Sequence, residues 1–261
     1  MIPEAERSAS GYECLLSDLR ALPDDTTVVS LDDRALAATF HAYNRLLHVP
    51  PTSVPIGGPL ATDTDFAAAD RAFEKCRPLP VVIDNALSTE ALEELQRFSR
   101  DATIWVEVKD HGGHLGVYFQ EGLACELLIA TADALRRALP RNLEGLGLAQ
   151  LWAYKHVQGG SGTDLHADMG AVSTHLLITP DQASLDPEAG GIEIWPVRMP
   201  EDWNFNHANV ERGGIRPLLL GKGDPIVVPH RRNRLVLFEA NLFAGRVRAG
   251  PNPGMKIDGS T

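Results

Sequence analysis

The segment LAQLWAYKHV (148–157) is the first of five short apolar stretches from which the fold class of this chain can be predicted. The other four are AVSTHLLIT (171–179), GGIEIWPV (190–197), DPIVVP (224–229) and RLVLFEANLF (234–243). Glycine, proline and aspartate, which favour turns, separate them, so each stretch is predicted to be a β-strand. Because no strand–helix alternation is present, the pattern favours a barrel or another α+β arrangement over a doubly wound sheet.

Helical patterns dominate the chain upstream of these strands. Ser88 is predicted to cap a helix whose Leu92, Leu95 and Phe98 form an apolar stripe. Further helices are predicted over residues 33–47, 66–73 and 121–139, and further strands over residues 79–87 and 103–108. Residues 1–79 are therefore predicted to be a helical and irregular extension, and residues 80–261 a strand-bearing domain supported by the helices that precede its strands.

Composition excludes several classes of protein. The 261 residues carry a formal net charge of -11, which argues against a general nucleic-acid binder. No basic leader followed by an apolar run, and no apolar stretch long enough for a membrane span, is present, so a membrane partner is not expected. Three scattered cysteines predict reduced thiols in the cytoplasm. The oligomeric state is left open.

One dense basic group interrupts this acidic composition. Arg231, Arg232 and Arg234 lie directly before the last apolar strand. A solvated strand entrance is the simpler interpretation, and contact with a phosphate or an acidic substrate is the alternative.

His166 and Asp168, in GTDLHADMG (162–170), are the one His-x-acid pair in the chain. Residues two apart in an extended strand point the same way, about 6–7 Å apart at the backbone. An imidazole and a carboxylate can therefore converge on one metal ion and leave other coordination positions open, as Fe(II) sites of the two-histidine, one-carboxylate type do. On the order of one such pair is expected by chance, so the pair alone is weak evidence.

The surroundings of this pair resemble the superfamily of 2-oxoglutarate/Fe(II)-dependent oxygenases, in the branch related to prolyl and phytanoyl hydroxylases. The matching stretches, in order, are LWAYKHVQGGSGTDLHAD (151–168), AVSTHLLITPDQASLDPEAGGIEIW (171–195), MPEDWNF (199–205) and VPHRRNRLVLFEANLF (228–243). The resemblance covers roughly residues 80 to 243. It implies a double-stranded β-helix barrel of the jelly-roll, cupin type, with Fe(II) held by His166 and Asp168 and 2-oxoglutarate bound beside it.

Two features depart from that family. Its second iron-binding histidine follows the NLF of the last strand, where this chain has Ala244. The family's closing strand, which carries an arginine for the distal carboxylate of 2-oxoglutarate, is also missing. Arg246 and Arg248 lie nearby but match no family position, so neither is assigned that role.

Other residues are weighed for roles in the same site. His175 shares a strand face with Ser173 and is predicted either to replace the missing ligand or to be a hydrogen-bonded interior histidine. Tyr154 matches the family's cosubstrate-binding tyrosine and could equally be a core aromatic residue. His156 is predicted to face away from Tyr154. Trp105 and Tyr118 are predicted to be packing residues or pocket walls, and His114, His207 and His230 to be loop residues.

The sequence thus predicts an oxidoreductase, specifically a dioxygenase that uses Fe(II) and 2-oxoglutarate to oxidise a C–H bond of a small or amino-acid-like molecule. Two alternatives remain open at this point. One is a catalytically impaired relative that acts as a binding module, which Ala244 favours. The other is a metal-dependent cupin that needs no 2-oxoglutarate. Hydrolases are disfavoured, because no nucleophile elbow, phosphate loop or HExxH helix is present.

Overall fold

The computed structural model describes residues 2–23, 33, 46, 48–108, 114–156, 164–183, 191–210 and 214–246. Of the predicted helix over residues 33–47, only residues 33 and 46 are therefore described. Arg248 and the rest of the atypical tail also lie outside the described residues.

Six α-helices occur within the described ranges. They are α1 (Ile2–Arg20), α2 (Phe66–Cys76), α3 (Thr89–Asp101), α4 (Glu126–Ala138), α5 (Pro140–Leu143) and α6 (Ile215–Leu219). Short 3-10 turns cover Phe119–Glu121 and Asp181–Ala183, and a π-helical turn covers Asn206–Val210. In this part of the chain, no helix combines the length and apolar character needed to cross a membrane.

Nine strands in the same ranges form three antiparallel sheets of three strands each. They are β1 (Val81–Ile83), β2 (Glu107–Val108), β3 (His114–Tyr118), β4 (Trp152–His156), β5 (Val172–Leu177), β6 (Ile192–Arg198), β7 (Ile226–Val228), β8 (Arg234–Glu239) and β9 (Leu242–Arg246). The sheets have the strand orders β1-β8-β5, β2-β3-β4 and β7-β6-β9. The α+β class is confirmed, whereas a closed double-stranded β-helix stays a prediction.

Local chemistry explains where two of the helices begin. The Ser88 side chain accepts a hydrogen bond from the Ala91 N–H and caps α3, as its sequence predicts. The helix predicted over residues 121–139 begins five residues later, at Glu126. The reason is Gly122, whose φ of 99° is incompatible with a right-handed helix and separates the Phe119–Glu121 turn from α4.

Strand β8 divides the core into an outer and an inner part. Leu235 and Leu237 are buried on the outer side, where they pack with Phe73 of α2 and Leu135 of α4. Their neighbours Val236 and Phe238 point to the inner side. There they form one cluster with apolar residues of the β7-β6-β9 sheet, namely Ile192, Ile194, Val228, Leu242 and Ala244. Two of the sheets therefore pack face to face, with the helices outside.

The stretch predicted as one strand over residues 234–243 is two strands, so that prediction is wrong. β8 ends at Glu239, and β9 begins at Leu242 in a different sheet. The break lies at Ala240 and Asn241, whose carbonyls accept hydrogen bonds from the Asp168 and Met199 N–H groups, both at 2.8 Å. These hydrogen bonds hold the backbone at the point where the chain leaves one sheet and enters the other. The continuous apolar pattern of residues 234–243 does not reveal this break.

Candidate metal centre

His166 and Asp168 lie on a short extended segment that is fixed to β9. The His166 N–H donates to the Ala244 carbonyl at 3.0 Å, and the Ala244 N–H donates to the His166 carbonyl at 2.8 Å. The alternate residues of this segment, Leu165 and Ala167, are buried with Phe243 on the opposite face. Because side chains alternate along an extended segment, His166 and Asp168 are directed to the other, inner face.

The two side chains converge, with 3.7 Å between His166 Nε2 and Asp168 Oδ1. The other ring nitrogen of His166, Nδ1, lies 2.8 Å from the Asp164 carbonyl oxygen. A carbonyl can only accept, so Nδ1 carries the hydrogen and a neutral His166 presents the lone pair of Nε2. The histidine therefore has the tautomer that a metal ligand requires, with the backbone partner that such ligands commonly use.

Asp168 is oriented by β5. The Ser173 hydroxyl donates a hydrogen bond of 2.7 Å to Asp168 Oδ2, which leaves Oδ1 directed toward His166. Ser173 pairs with Phe238 across the sheet, so it lies on the inner face.

His175 lies two residues further along β5 and opposite Val236, and it therefore shares the inner face. Part of its surface is exposed, yet the surrounding protein disfavours the charged ring and lowers its pKa to about 4. The carboxylate of Asp168 raises the pKa of His175, whereas desolvation and the charge of His166 both lower it. His175 is thus electrostatically connected to the pair and is neutral at pH 7.

Among the described residues, no group of three histidine, cysteine, aspartate or glutamate side chains is placed to hold a metal ion. Ala244 lies directly opposite His166, and only 6% of it is exposed. In a hydrogen-bonded antiparallel pair the opposed side chains lie on the same face, with about 5.5 Å between the α-carbons. A methyl group consequently occupies the place beside the His166–Asp168 pair where a third ligand could stand.

A second polar surface is formed by β3 and β4, and the charge of Asp168 acts on its Tyr154. Tyr154 exchanges a hydrogen bond with Tyr118, and burial above all raises its pKa, with smaller effects from the charges of Tyr118 and Asp168. His114 pairs with His156 across the two strands, and their ring centroids lie 5.4 Å apart. The Tyr154 ring lies 5.2 Å from that of His114.

Two predictions about these histidines are wrong. His156 does not face away from Tyr154, since their ring centroids are 6.4 Å apart. Residues two apart in a strand share a face, so the alternation of side chains along β4 is sufficient to put His156 on the same face as Tyr154. His114 is not a loop residue but the first residue of β3, with only 7% of it exposed. The His156 side chain is exposed at the surface, yet desolvation by the protein around it lowers its pKa to about 3, and the charges of Arg246, His114 and His175 contribute.

Arg246 brings a positive charge to this inner region. It lies two residues after Ala244 on β9 and opposite Ile192, so it shares the inner face with both. Burial lowers its pKa, and its charge acts on His156. Sequence reasoning found Arg246 but assigned it no role, because the family pattern places its arginine elsewhere.

Trp105 belongs to the opposite side of the β2-β3-β4 sheet. Its indole N–H donates to the Ser99 carbonyl at 2.9 Å, and the Lys155 ammonium lies 5.0 Å from its ring centroid. Lys155 alternates with Tyr154 and therefore points away from the pair. The packing interpretation thus holds for Trp105, while Tyr118 lies on the inner side with Tyr154.

The chain is similar in structure to several solved enzymes. A prolyl-4-hydroxylase from Pseudomonas putida matches 71% of this chain and 93% of its own, with 17% identity and a TM-score of 0.47. The non-heme alpha-ketoglutarate-dependent carbocyclase SnoK from nogalamycin biosynthesis matches 69% of this chain and 77% of its own, with 15% identity and a TM-score of 0.48. The epimerase SnoN, in complex with Fe3+, alpha-ketoglutarate and nogalamycin RO, matches 71% of this chain and 78% of its own, with 13% identity and a TM-score of 0.47.

No protein-family model and no curated protein matches this chain. At the identities and TM-scores of the solved structures, the similarity assigns neither a cofactor nor an activity to its residues.

Proposed function

We propose that this protein is a dioxygenase that uses Fe(II) and 2-oxoglutarate to oxidise a C–H bond of a small or amino-acid-like molecule. One observation carries the proposal. His166 Nε2 and Asp168 Oδ1 lie 3.7 Å apart, and each side chain is oriented by a further partner, the Asp164 carbonyl or the Ser173 hydroxyl.

The donor atoms fit iron. A neutral imidazole nitrogen and a carboxylate oxygen are two of the three protein ligands in the open Fe(II) sites that activate oxygen. The hydrogen bonds to His166 and Asp168 are of the kind that fix the direction of metal ligands. With one ligand fewer than usual, we expect weaker retention of the metal, unless a bidentate cosubstrate or His175 completes the shell.

Tyr154 and Arg246 would receive the cosubstrate. Tyr154 carries a hydroxyl that stays protonated at pH 7, and Arg246 carries the positive charge of the inner region. An arginine can pair with a carboxylate through two parallel hydrogen bonds. The neutral His156 and His175 add donors and acceptors without opposing charge. Bound together, Fe(II) and 2-oxoglutarate would activate O2 for the oxidation of an unactivated C–H bond, with two electrons coming from the conversion of 2-oxoglutarate to succinate and CO2 and two from the substrate.

A second function, that of a binding module without catalysis, is favoured by Ala244. The residue is buried opposite His166 and offers no ligand atom. A cupin that uses a metal but no 2-oxoglutarate is a third possibility. These three functions differ in what they bind.

Anaerobic titration of the protein with Fe(II) and 2-oxoglutarate distinguishes them. We expect a visible charge-transfer band only when both are present, because it requires the oxo acid to chelate the iron, and we expect succinate after oxygen is admitted. Succinate in place of 2-oxoglutarate is the control and should give no band. Iron binding without the band would indicate the cupin function, and the absence of iron binding would indicate the binding module.

Ser173→Ala tests how Asp168 is oriented. Removing the 2.7 Å hydrogen bond frees the carboxylate to rotate, and we expect the affinity for Fe(II) to fall by about 10-fold or more. Calorimetric titration under anaerobic conditions measures this change. Thr174→Ala is the matched control, because Thr174 is adjacent and faces the other side of β5. Equal affinities in the two variants would show that Ser173 does not act on the metal ligand.

A further inference from the structure

We propose that a polar cleft outside the candidate metal centre binds an oxyanion, a phosphate or carboxylate group carried by a small molecule. The cleft has a volume of about 260 Å³. It lies where the beginning of α3, the turn at Asp181 and the turn between β7 and β8 meet. Its walls are formed by Asn85, Thr89, Leu92, Asp181, Arg231, Arg232 and Asn233.

Asn233 holds these segments together. It is 8% exposed and adopts a φ of 63°, a left-handed conformation that asparagine tolerates. Its side chain donates to the Leu87 carbonyl at 2.8 Å and accepts from the Leu87 N–H at 2.9 Å. The Ala86 N–H also donates to the Asn233 carbonyl at 3.0 Å. The turn that carries the arginines is therefore locked against the loop that leads into α3.

The charges of the cleft do not cancel. Asp84 pairs with both Arg231, at 2.8 Å, and Arg234, at 2.6 Å. The hydrogen bond from Arg234, with the help of Arg231, holds the pKa of Asp84 below its usual range. Asp181 is the second carboxylate here, and its charge also acts on Arg234. Two carboxylates therefore stand against the three guanidinium groups of Arg231, Arg232 and Arg234, and one positive charge is left over in a chain of net charge -11.

Arg232 is the group that remains to act on a ligand. In the described part of the chain its guanidinium makes no ion pair, and its Nε is out of contact with solvent and has no hydrogen-bond partner. Only its backbone N–H is used, in a bond of 2.6 Å to Asp181. A buried donor without an acceptor is unfavourable, so a small rotation that offers Nε an oxyanion oxygen would be stabilising.

The rest of the cleft suits the same ligand. Thr89 is the first residue of α3, so its hydroxyl lies at the positive end of a 13-residue helix. The planar fork of arginine matches two oxygens of a phosphate or a carboxylate. Asp181 is already engaged, since it accepts from Arg232 and lies 3.7 Å from the His230 ring nitrogen. The small volume limits the ligand to the oxyanion and few further atoms.

Titration with inorganic phosphate, followed by NMR at constant ionic strength, tests the proposal. We expect saturable shifts at the backbone amides of Asn85, Thr89 and Arg232 and at the Arg232 Nε–H resonance. Acetate in a parallel titration identifies the source: saturation by acetate points to a carboxylate ligand, and saturation by phosphate alone points to a phosphate ligand. If neither anion saturates these resonances, the cleft is not an oxyanion site.

Arg232→Gln should lower the affinity for the saturating anion at least about 10-fold, since it removes a charged hydrogen-bond donor. Arg71→Gln, the same change at an exposed position of α2, should have no effect. Thr89→Val provides a second test should Arg232→Gln fail to fold, with an expected loss of about 3- to 10-fold. Unchanged affinity in the Arg232 or Thr89 variant, or an equal loss in Arg71→Gln, would overturn the proposal. His166→Ala should bind the anion normally, which separates this site from the metal centre.

Discussion

His166→Ala is expected to abolish Fe(II) binding at micromolar protein concentrations. Loss of a single outer partner of a metal ligand already costs about 10–100-fold in affinity, and this change removes one of the two ligands themselves. Asp168 alone, with Ser173 bonded to its other oxygen, would offer the ion a single protein atom. Anaerobic calorimetry measures the affinity, and the visible band with 2-oxoglutarate should disappear in the same variant.

The matched control is His207→Ala. His207 lies on the outer side of the structure, where its ring stacks on Trp203 at 5.9 Å and accepts from the Asn204 N–H. Its removal should leave iron binding unchanged. Should both variants hold iron equally well, the metal site lies elsewhere and the proposed function loses its basis.

Ala244→His is expected to raise the affinity for Fe(II) by about 10-fold or more. The backbone of Ala244 is paired with that of His166, so an imidazole at position 244 would lie beside the existing pair. A direct ligand should contribute at least as much as the outer partners that change affinity by about 10–100-fold. The titration used for His166→Ala measures the gain.

Ala244→His is also expected to lower the stability of the fold, so its control must cause the same loss of stability. Ala244 is 6% exposed and packs with Ile194 and Phe238, so a larger side chain strains the cluster by about 1–3 kcal/mol. Ala244→Leu adds similar bulk without a ligand atom. We expect both variants to unfold at lower denaturant concentration and only the histidine variant to gain iron affinity. A histidine variant that folds but binds iron no better would show that β9 does not approach the ion.

A catalytic difference between Ala244→His and the natural chain would also bear on the binding-module alternative. The informative result would be that the natural chain holds iron weakly while the histidine variant consumes 2-oxoglutarate and oxygen together. In that case Tyr154, His156 and Arg246 would already suffice to bind the cosubstrate. The missing third ligand would then be the only feature that limits activity. That result would locate the impairment in one side chain of β9.

Much of the candidate site follows from short-range rules in the sequence. The period of two along an extended segment brings His166 and Asp168 to one face, and the same rule gives Ser173 and His175 a common face. The cap at Ser88 follows from the preference of serine for helix beginnings. These features depend on residues within a few positions of one another, and the backbone geometry of a single segment determines them.

Contacts between segments far apart in the chain could not be predicted from these short-range rules. The resemblance predicted that Ala244 stands where the resembling family has a histidine, but only the tertiary structure pairs Ala244 with His166, 78 positions earlier in the numbering. Likewise, the break at Ala240 and Asn241 and the cleft around Arg232 depend on hydrogen bonds to loops far away in the chain. An apolar pattern specifies which face of a strand is buried, whereas the pairing of strands and the partners of polar groups depend on how the whole chain packs.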